Sequence, residues 1–258
     1  MTPAALRVAE AHARSYRRNW RGSVASTFLS PLLFLGAMGL GLGTLVDRGG
    51  NSASLDGVDY VAFLAPGLMA ATAMQVAASE TTWPVMLGFK WAKTYQATLA
   101  TPVAPRDIVS GTLVWTGVRL LLATTAFAAV MTLMGVTPLL RAALAVPSAV
   151  LTGLAFAGPF AAFTARIRHD TSLAGLFRFV IMPLFLFSGT FFPISRLPAA
   201  LQPVAYATPL WHGVELSRAA ALGTSPALPA AVSVGYLLCW VVGGWLAATA
   251  AFSRRLRT

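Results

Sequence analysis

The chain has 258 residues, of which 57% are hydrophobic and only 10% are charged. A soluble domain carries about a quarter charged residues, so this composition excludes an ordinary soluble fold and predicts one integral membrane domain. The formal charge of +11 does not indicate nucleic-acid binding, because the basic residues lie beside hydrophobic runs. The single cysteine, Cys239, excludes an intramolecular disulfide and a thiolate metal cluster.

The first 22 residues form a basic amphipathic segment. Leu6, Ala9, Ala13, Tyr16 and Trp20 recur at three- and four-residue steps, and arginines occupy much of the remaining circumference. The pattern predicts an interfacial helix whose apolar stripe sinks into the headgroup region of the bilayer. A basic flank that only sets the topology is the alternative.

Six apolar segments are long enough to cross a bilayer, which takes about 20 helical residues. The predicted spans are Val24–Leu45, Tyr60–Ala78, Ile108–Met134, Ala143–Phe163, Leu176–Phe192 and Ala230–Phe252. The fold class is therefore all-α, a polytopic membrane protein. The N-terminus is too basic for a cleaved signal peptide, so the first span is expected to remain in the protein.

The distribution of Lys and Arg predicts the orientation. With both termini in the cytoplasm, 13 of the 19 Lys and Arg residues lie on the cytoplasmic side, four lie outside, and Arg119 and Arg178 lie within spans. Short loops rich in Lys and Arg stay in the cytoplasm. The count therefore predicts a multi-pass protein of the cell (inner or plasma) membrane with both termini cytoplasmic.

Glycines in the first span predict close helix packing. Gly39 and Gly43 form a G-x-x-x-G pattern, which lets a second helix approach the backbone. The pattern is common in membrane helices, and it fits either packing within the chain or a dimer interface.

The cytoplasmic stretch 79–107 is too long for a simple turn in a compact bundle. Trp91, Tyr95 and Leu99 are four residues apart, which predicts one apolar face of a short helix that ends at Thr101 and Pro102. Lys90, Lys93 and Gln96 lie on the other faces. The helix is suited to dock on a partner, and a helix on the lipid surface is the alternative.

Arg119 lies about eleven residues inside the third predicted span. A charge at that depth is expected to face the protein interior or a wet cavity. A second interpretation is structural: Arg119 snorkels from a deeply set helix or pairs with Glu80.

The external stretch 193–229 is rich in proline and predicts short re-entrant or lid helices rather than a span. Thr208 is a candidate N-cap in front of Pro209. Leu210, Trp211 and Val214 form an apolar side. Glu215 and Arg218 are three residues apart and are expected to pair. An ordinary surface loop would be less apolar than this stretch.

Catalytic motifs are missing from the sequence. No G-x-x-x-x-G-K-[ST], H-E-x-x-H or G-x-S-x-G pattern occurs, so we expect neither catalytic residues nor a cofactor or metal site on this chain. Ion-coupled transport requires ionisable groups at membrane depth. The acidic residues are predicted at or beyond the span ends, so the energy for transport must come from elsewhere; they are Glu10, Asp47, Asp56, Asp59, Glu80, Asp107, Asp170 and Glu215.

Four motifs carry a resemblance to a known family. They are Lys93–Val103, then Asp107–Val109, then Phe187–Pro193 and finally Pro209–Arg218. In this order and with these intervals, the chain resembles the membrane subunits of type 2 ABC exporters, especially nodulation-type lipo-oligosaccharide exporters and daunorubicin-resistance permeases.

The resemblance implies a role for each segment between the spans. The N-terminal helix would be the connecting helix, and the stretch Lys90–Pro102 would be the coupling helix that contacts an ATPase. Its candidate coupling residues are Lys90, Trp91, Lys93, Tyr95, Gln96 and Leu99. Many relatives carry an acidic residue near the position of Gln96, so this chain departs from the family pattern in the segment expected to dock on the ATPase. The external helices would cap the substrate path, with the candidate gate residues Phe191, Phe192, Pro193, Leu210, Trp211, His212, Glu215 and Arg218.

The resemblance also implies partners and a mechanism. Two permease chains, identical or sister, would work with two copies of a separate ATP-binding subunit that holds ATP and Mg. Alternating access would then export an amphipathic or lipophilic substrate such as a drug, an antibiotic, a lipid or a lipo-oligosaccharide. A non-transport membrane protein, either a lipid-modifying enzyme or an assembly scaffold, is the alternative function.

Overall fold

The computed structural model describes residues 4–17, 29, 32–37 and 59–257, and these residues contain helices and no strands. The helices are α1 (Ala4–Tyr16), α2 (Tyr60–Trp91), α3 (Thr94–Leu99), α4 (Pro105–Leu133), α5 (Leu139–Arg166), α6 (Thr171–Phe187), α7 (Gln202–Tyr206), α8 (Pro209–Leu222) and α9 (Ala230–Arg257). The polytopic helical fold predicted from the sequence is confirmed.

Among the described residues, α2, α4, α5 and α9 are long and apolar enough to cross a membrane, and α6 is a shorter apolar helix. Only residues 29 and 32–37 of the predicted first span are described, and residues 32–37 are helical. Gly39 and Gly43 lie outside the described residues, so their packing role stays a prediction.

Two predicted spans differ in length from the helices in which they lie. The helix of the second predicted span continues past Ala78 to Thr81 and, after a bend at Thr82, to Trp91. The fifth begins earlier than predicted and ends at Phe187 rather than Phe192. Gly189 has a φ of 82°, which is incompatible with a continuing right-handed helix.

Helix α5 lies at the centre of the fold and packs against α2, α4, α8 and α9. The largest buried cluster is rich in small residues, including Ala73 and Ala77 on α2 and Ala145 and Ala149 on α5. Small side chains let helix backbones approach closely, which is how helices associate in a bilayer without a hydrophobic driving force between them.

The helix ends gather at two opposite ends of the molecule. At the coupling end, which we define by residues 90–104, 164–170 and 252–257, Lys90 pairs with Asp170 and Arg255 donates to the carbonyl of Ile167. At the gate end, defined by residues 60–63 and 188–229, Arg218 contacts both Phe63 and Gly189. The basic residues of the coupling end, all of which were predicted to be cytoplasmic, therefore lie at one end of the fold.

Helices α5 and α9 cross with their backbones close together. A Cβ atom added at Gly158 would lie 2.5 Å from the carbonyl carbon of Gly244, and one added at Gly244 would overlap Pro159. A Cβ atom added at the neighbouring Gly243 would have no other atom within 4 Å. Glycine is therefore required at 158 and 244 but not at 243.

We predict that Gly244→Ala destabilises the protein by about 1–3 kcal/mol, because the added methyl group overpacks the crossing. Gly243→Ala is the matched control, and it should leave stability unchanged or raise it slightly, since alanine favours a helix over glycine. Thermal unfolding of both variants in detergent, followed by tryptophan fluorescence, measures the difference. Equal unfolding temperatures would contradict the close approach of α5 and α9.

Candidate functional site

The predicted coupling segment is not one continuous helix. Helix α2 ends in a wide π turn, Leu87–Trp91, and α3 starts only at Thr94. Between them Lys93 has a φ of 48°, in the left-handed region that a non-glycine residue rarely adopts. The prediction that Trp91, Tyr95 and Leu99 share one face of one helix is therefore wrong, because the chain turns at Lys93.

Tyr95 belongs to the core of the coupling end rather than to its surface. Its side chain is 6% exposed, and its ring lies 4.8 Å from that of Phe89 and 5.5 Å from that of Phe252. Gly88 leaves the space that the ring fills. Burial raises the pKa of Tyr95 to about 12. Leu99 is half-buried against the same cluster, so these two side chains hold the segment in place.

A different set of coupling residues is exposed. Lys90, Trp91, Lys93 and Gln96 all lie at the surface of the coupling end. Lys90 is fixed by its ion pair with Asp170, 3.0 Å away, and that ion pair lowers the pKa of Asp170. The exposed patch around the turn between α2 and α3 therefore combines basic, aromatic and amide side chains.

At the gate end, α8 starts as predicted. The Thr208 hydroxyl accepts a hydrogen bond from the backbone N–H of Trp211 at 3.4 Å, and Pro209 occupies the first turn. Glu215 and Arg218 form an ion pair at 2.9 Å, which confirms the predicted pairing. The helix is thus capped at its start and braced along its length.

Arg218 joins three parts of the gate end. It donates to the carbonyl oxygen of Gly189 at 2.8 Å and to that of Phe63 at 3.3 Å, and its guanidinium carbon lies 3.8 Å from the centroid of the Phe63 ring. With Glu215 and Trp211 it lines a cavity of about 380 Å³. The predicted gate residues Trp211, Glu215 and Arg218 therefore meet at one site.

The other predicted gate residues do not join that cavity wall, except Pro193. Phe191 packs against Phe185, with ring centroids 5.1 Å apart. Phe192 packs in a small cluster with Trp211. Leu210 is fully buried in the main core, and Nδ1 of His212 lies 3.0 Å from the hydroxyl of Ser233. These residues hold the gate end together rather than forming one surface.

Arg119 pairs with Glu80, as the structural interpretation predicted. Its Nε lies 2.9 Å from Oε1 of Glu80, and the Trp115 indole N–H donates to Oε2 of the same carboxylate at 3.1 Å. Arg119 Nη1 also donates to the Tyr16 hydroxyl at 2.8 Å. We call Tyr16, Glu80, Trp115 and Arg119 the Arg119 cluster. Glu80 lies on α2, two residues beyond the predicted end of the second span at Ala78.

The Arg119 cluster docks α1 onto the bundle. Further along the same contact, Gly111 of α4 leaves no room for a Cβ atom beside Ala5 and Val8. Burial lowers the pKa of His12, an effect that Glu80 partly offsets. Leu6, which was predicted in the apolar stripe of α1, is 47% exposed. Ala9, Ala13 and Tyr16 of the same stripe are half-buried, so most of the described stripe lies on the protein-facing side of α1, and Trp20 lies outside the described residues.

Sequence reasoning missed Trp115, Asp170 and Phe252. Trp115 lies one helical turn before Arg119, so its position on the same face was available from spacing. Asp170 is an acidic residue in an otherwise basic short loop, which was a signal for an ion pair. Phe252 meets Phe89 only through the tertiary fold, and no local pattern indicates that contact.

Comparison with known proteins identifies the family. The family described as "ABC-2 type transporter" matches residues 9–222. The chain belongs to this family. It is 34% identical over 248 residues to Nodulation protein J of Rhizobium meliloti (strain 1021), covering 93% of this chain and 92% of that protein. Nodulation protein J of Azorhizobium caulinodans is 26% identical over 207 residues, which cover 80% of this chain and 79% of that protein.

Membership in the ABC-2 family makes the chain an ABC transporter permease, which is an integral membrane protein. This membership also implies an ATP-binding subunit as its partner. The motifs that carried the resemblance lie at the two ends of the fold. Lys93–Val103 is at the coupling end, and Pro209–Arg218 is at the gate end. The two segments to which the resemblance assigns function are thus separated by the length of the helices.

We predict that Tyr95→Ala lowers the free energy of unfolding by about 3 kcal/mol, because it empties a buried aromatic site. Trp91→Ala is the matched control: this ring is 49% exposed, so the loss should stay under about 1 kcal/mol. Chemical unfolding in detergent gives both values. Similar losses for the two variants would show that Tyr95 is not the better packed aromatic residue.

Proposed function

We propose that this chain is the permease subunit of an ATP-driven exporter that moves an amphipathic or lipophilic molecule across the cell membrane. Two permease chains, identical or sister, work with two copies of a separate ATP-binding subunit, which carries ATP and Mg. The observation that supports this most is membership in the ABC-2 family over most of the chain, together with an exposed patch at the end where α2 and α4 meet.

The coupling end is the proposed docking site for the ATP-binding subunit. Lys90, Trp91, Lys93 and Gln96 are exposed around the turn at Lys93, while Tyr95 and Leu99 anchor that turn from inside. Aromatic side chains such as Trp91 are enriched in protein interfaces, and charged side chains such as Lys93 steer a partner of opposite charge. ATP binds the closed form of its subunit more tightly, and this differential affinity biases the permease toward release of the substrate.

For the substrate, only a chemical class is proposed. The grooves of the described residues are lined mainly by apolar side chains; one of about 400 Å³ lies between α6 and α7, with Phe179 and Val204 among its walls. The cavity at the gate end adds the Glu215–Arg218 pair. Apolar walls beside a few polar groups suit a drug, an antibiotic, a lipid or a lipo-oligosaccharide better than a long polysaccharide.

We predict that Trp91→Glu combined with Lys93→Glu lowers co-purification of the ATP-binding subunit by about tenfold or more, because it removes an aromatic anchor and reverses a charge. Arg196→Glu is the control, since Arg196 is exposed at the opposite, gate end. Pull-down of a tagged permease in detergent measures the amount of bound subunit. An unchanged complex would contradict docking at the coupling end.

The proposed orientation places both termini and the coupling end in the cytoplasm. In a chain with Cys239→Ala, Ser225→Cys should react with a membrane-impermeant maleimide in intact cells, whereas Thr101→Cys should react only after the cells are opened. Because both side chains are exposed, the labelling of each cysteine depends only on the side of the bilayer from which the reagent reaches it. Labelling of Thr101→Cys in intact cells would overturn the orientation.

A further inference from the structure

Helices α2 and α4 lead into and out of the segment at the coupling end. Helix α2 ends at Trp91 and α4 begins at Pro105, so only residues 92–104 separate the two long helices. A displacement of this short segment must therefore reach the ends of both helices.

The Arg119 cluster ties these two helices together inside the bundle. Glu80 lies ten residues before Lys90 on α2, roughly 15 Å along a helix. Both of its carboxylate oxygens are bound from α4, one by Arg119 and the other by Trp115. The side chains of Glu80 and Arg119 are only 18% and 14% exposed, so solvent screens their attraction weakly.

Arg119 also reaches a third helix. Its Nη1 donates to the Tyr16 hydroxyl, and its guanidinium carbon lies 4.4 Å from the centroid of the Tyr16 ring. The contact continues to Gly111, where α1 and α4 approach without room for a side chain. Helix α1 is thus held against α4 at two separate places.

The chemistry requires arginine in particular. A planar guanidinium donates in several fixed directions and offers a flat face to an aromatic ring. Arg119 uses Nε for Glu80 and Nη1 for the Tyr16 hydroxyl, and its guanidinium carbon lies over the Tyr16 ring. A lysine ammonium would keep the positive charge without this directional set of contacts.

We propose that Arg119 is a positioning residue that clamps α1, α2 and α4 into one rigid unit, so that movement of segment 92–104 is passed to the whole unit. This inference rests on the proposed function. Without the clamp, the ATP-binding subunit still docks and hydrolyses ATP, but its movement is lost in relative sliding of the three helices, and less substrate is moved for each ATP.

The test compares Arg119→Lys and Tyr16→Phe with the wild-type complex in proteoliposomes. The readout is the number of molecules of an NBD-labelled short-chain lipid moved per ATP hydrolysed. We expect each variant to lower this ratio by roughly fivefold or more, with ATP hydrolysis and co-purification of the subunit within twofold of wild type. The double variant should lose no more than Arg119→Lys, because both changes break the same contact. Arg14→Lys, on the exposed side of α1, should retain the wild-type ratio.

A second readout needs neither transport nor the ATP-binding subunit. In a permease with Cys239→Ala, spin labels at positions 14 and 118, both exposed, report the distance between α1 and α4. The distribution should be narrow in the wild-type background and broader with Arg119→Lys. A distance distribution that Arg119→Lys leaves unchanged would overturn the clamp. A wild-type transport ratio in Arg119→Lys would overturn it too. So would a parallel loss of co-purification, ATP hydrolysis and transport in this variant.

The two proposals fail differently. If the wild-type permease neither binds an ATP-binding subunit nor moves any molecule, the proposed function fails, and the spin-label distances still decide whether the clamp exists. If the wild-type complex transports and Arg119→Lys matches it, only the clamp is wrong.

Discussion

The ion pair between Glu80 and Arg119 lies among apolar helices, where charges are stabilised only by partners inside the protein. Glu80 receives two donors from α4, and Arg119 divides its donors between Glu80 and Tyr16. Removing one partner of such a pair leaves a poorly solvated charge, which costs about 3–5 kcal/mol. The pair therefore fixes the register of α2 against α4, and through Tyr16 it fixes the position of α1.

The arrangement of helix ends follows from this register. The Lys90–Asp170 ion pair and the contacts of Phe252 with Phe89 and Tyr95 bring the ends of α2, α5 and α9 together with the start of α6. The exposed side chains around Lys93 are therefore supported by packed side chains beneath them rather than by a loose loop. In the proposed mechanism, this packed support lets movement of the ATP-binding subunit displace the helices instead of deforming a loop.

The gate end contains a second, partly buried ion pair. Glu215 and Arg218 brace α8 against the start of α2 and the bend at Gly189. The Glu215–Arg218 pair contacts α2 near its start, at Phe63, and the Glu80–Arg119 pair holds α2 in its second half. Helix α2 therefore joins the proposed gate to the proposed docking site, and the proposed alternating-access mechanism needs such a connection.

Much of the fold could be predicted from the sequence because the bilayer restricts the possibilities. Segment length and hydropathy predicted the spans that became α2, α4, α5 and α9, and local spacing predicted the Thr208 cap and the Glu215–Arg218 pair. The pairing of Arg119 with Glu80 was one of two interpretations, since sequence separation does not determine which side of a helix meets which neighbour.

The errors arose where tertiary contacts override local pattern. The four-residue spacing of Trp91, Tyr95 and Leu99 is typical of a helical face, yet the chain turns at Lys93 and Tyr95 packs against Phe252, near the other end of the chain. The apolar run up to Phe192 reads as a span, but the left-handed conformation of Gly189 ends α6 before it. Nothing in single-residue propensity indicates a lysine with a φ of 48°.

In the proposed mechanism, this permease converts the work of a separate ATP-binding subunit into movement of an amphipathic molecule. A reconstitution tests this when the permease, the ATP-binding subunit and Mg-ATP are each omitted in turn while translocation of the NBD-labelled lipid is followed. We expect ATP-dependent translocation only when all three are present. Hydrolysis of ATP by the permease alone, or translocation of equal rate without the ATP-binding subunit, would contradict it.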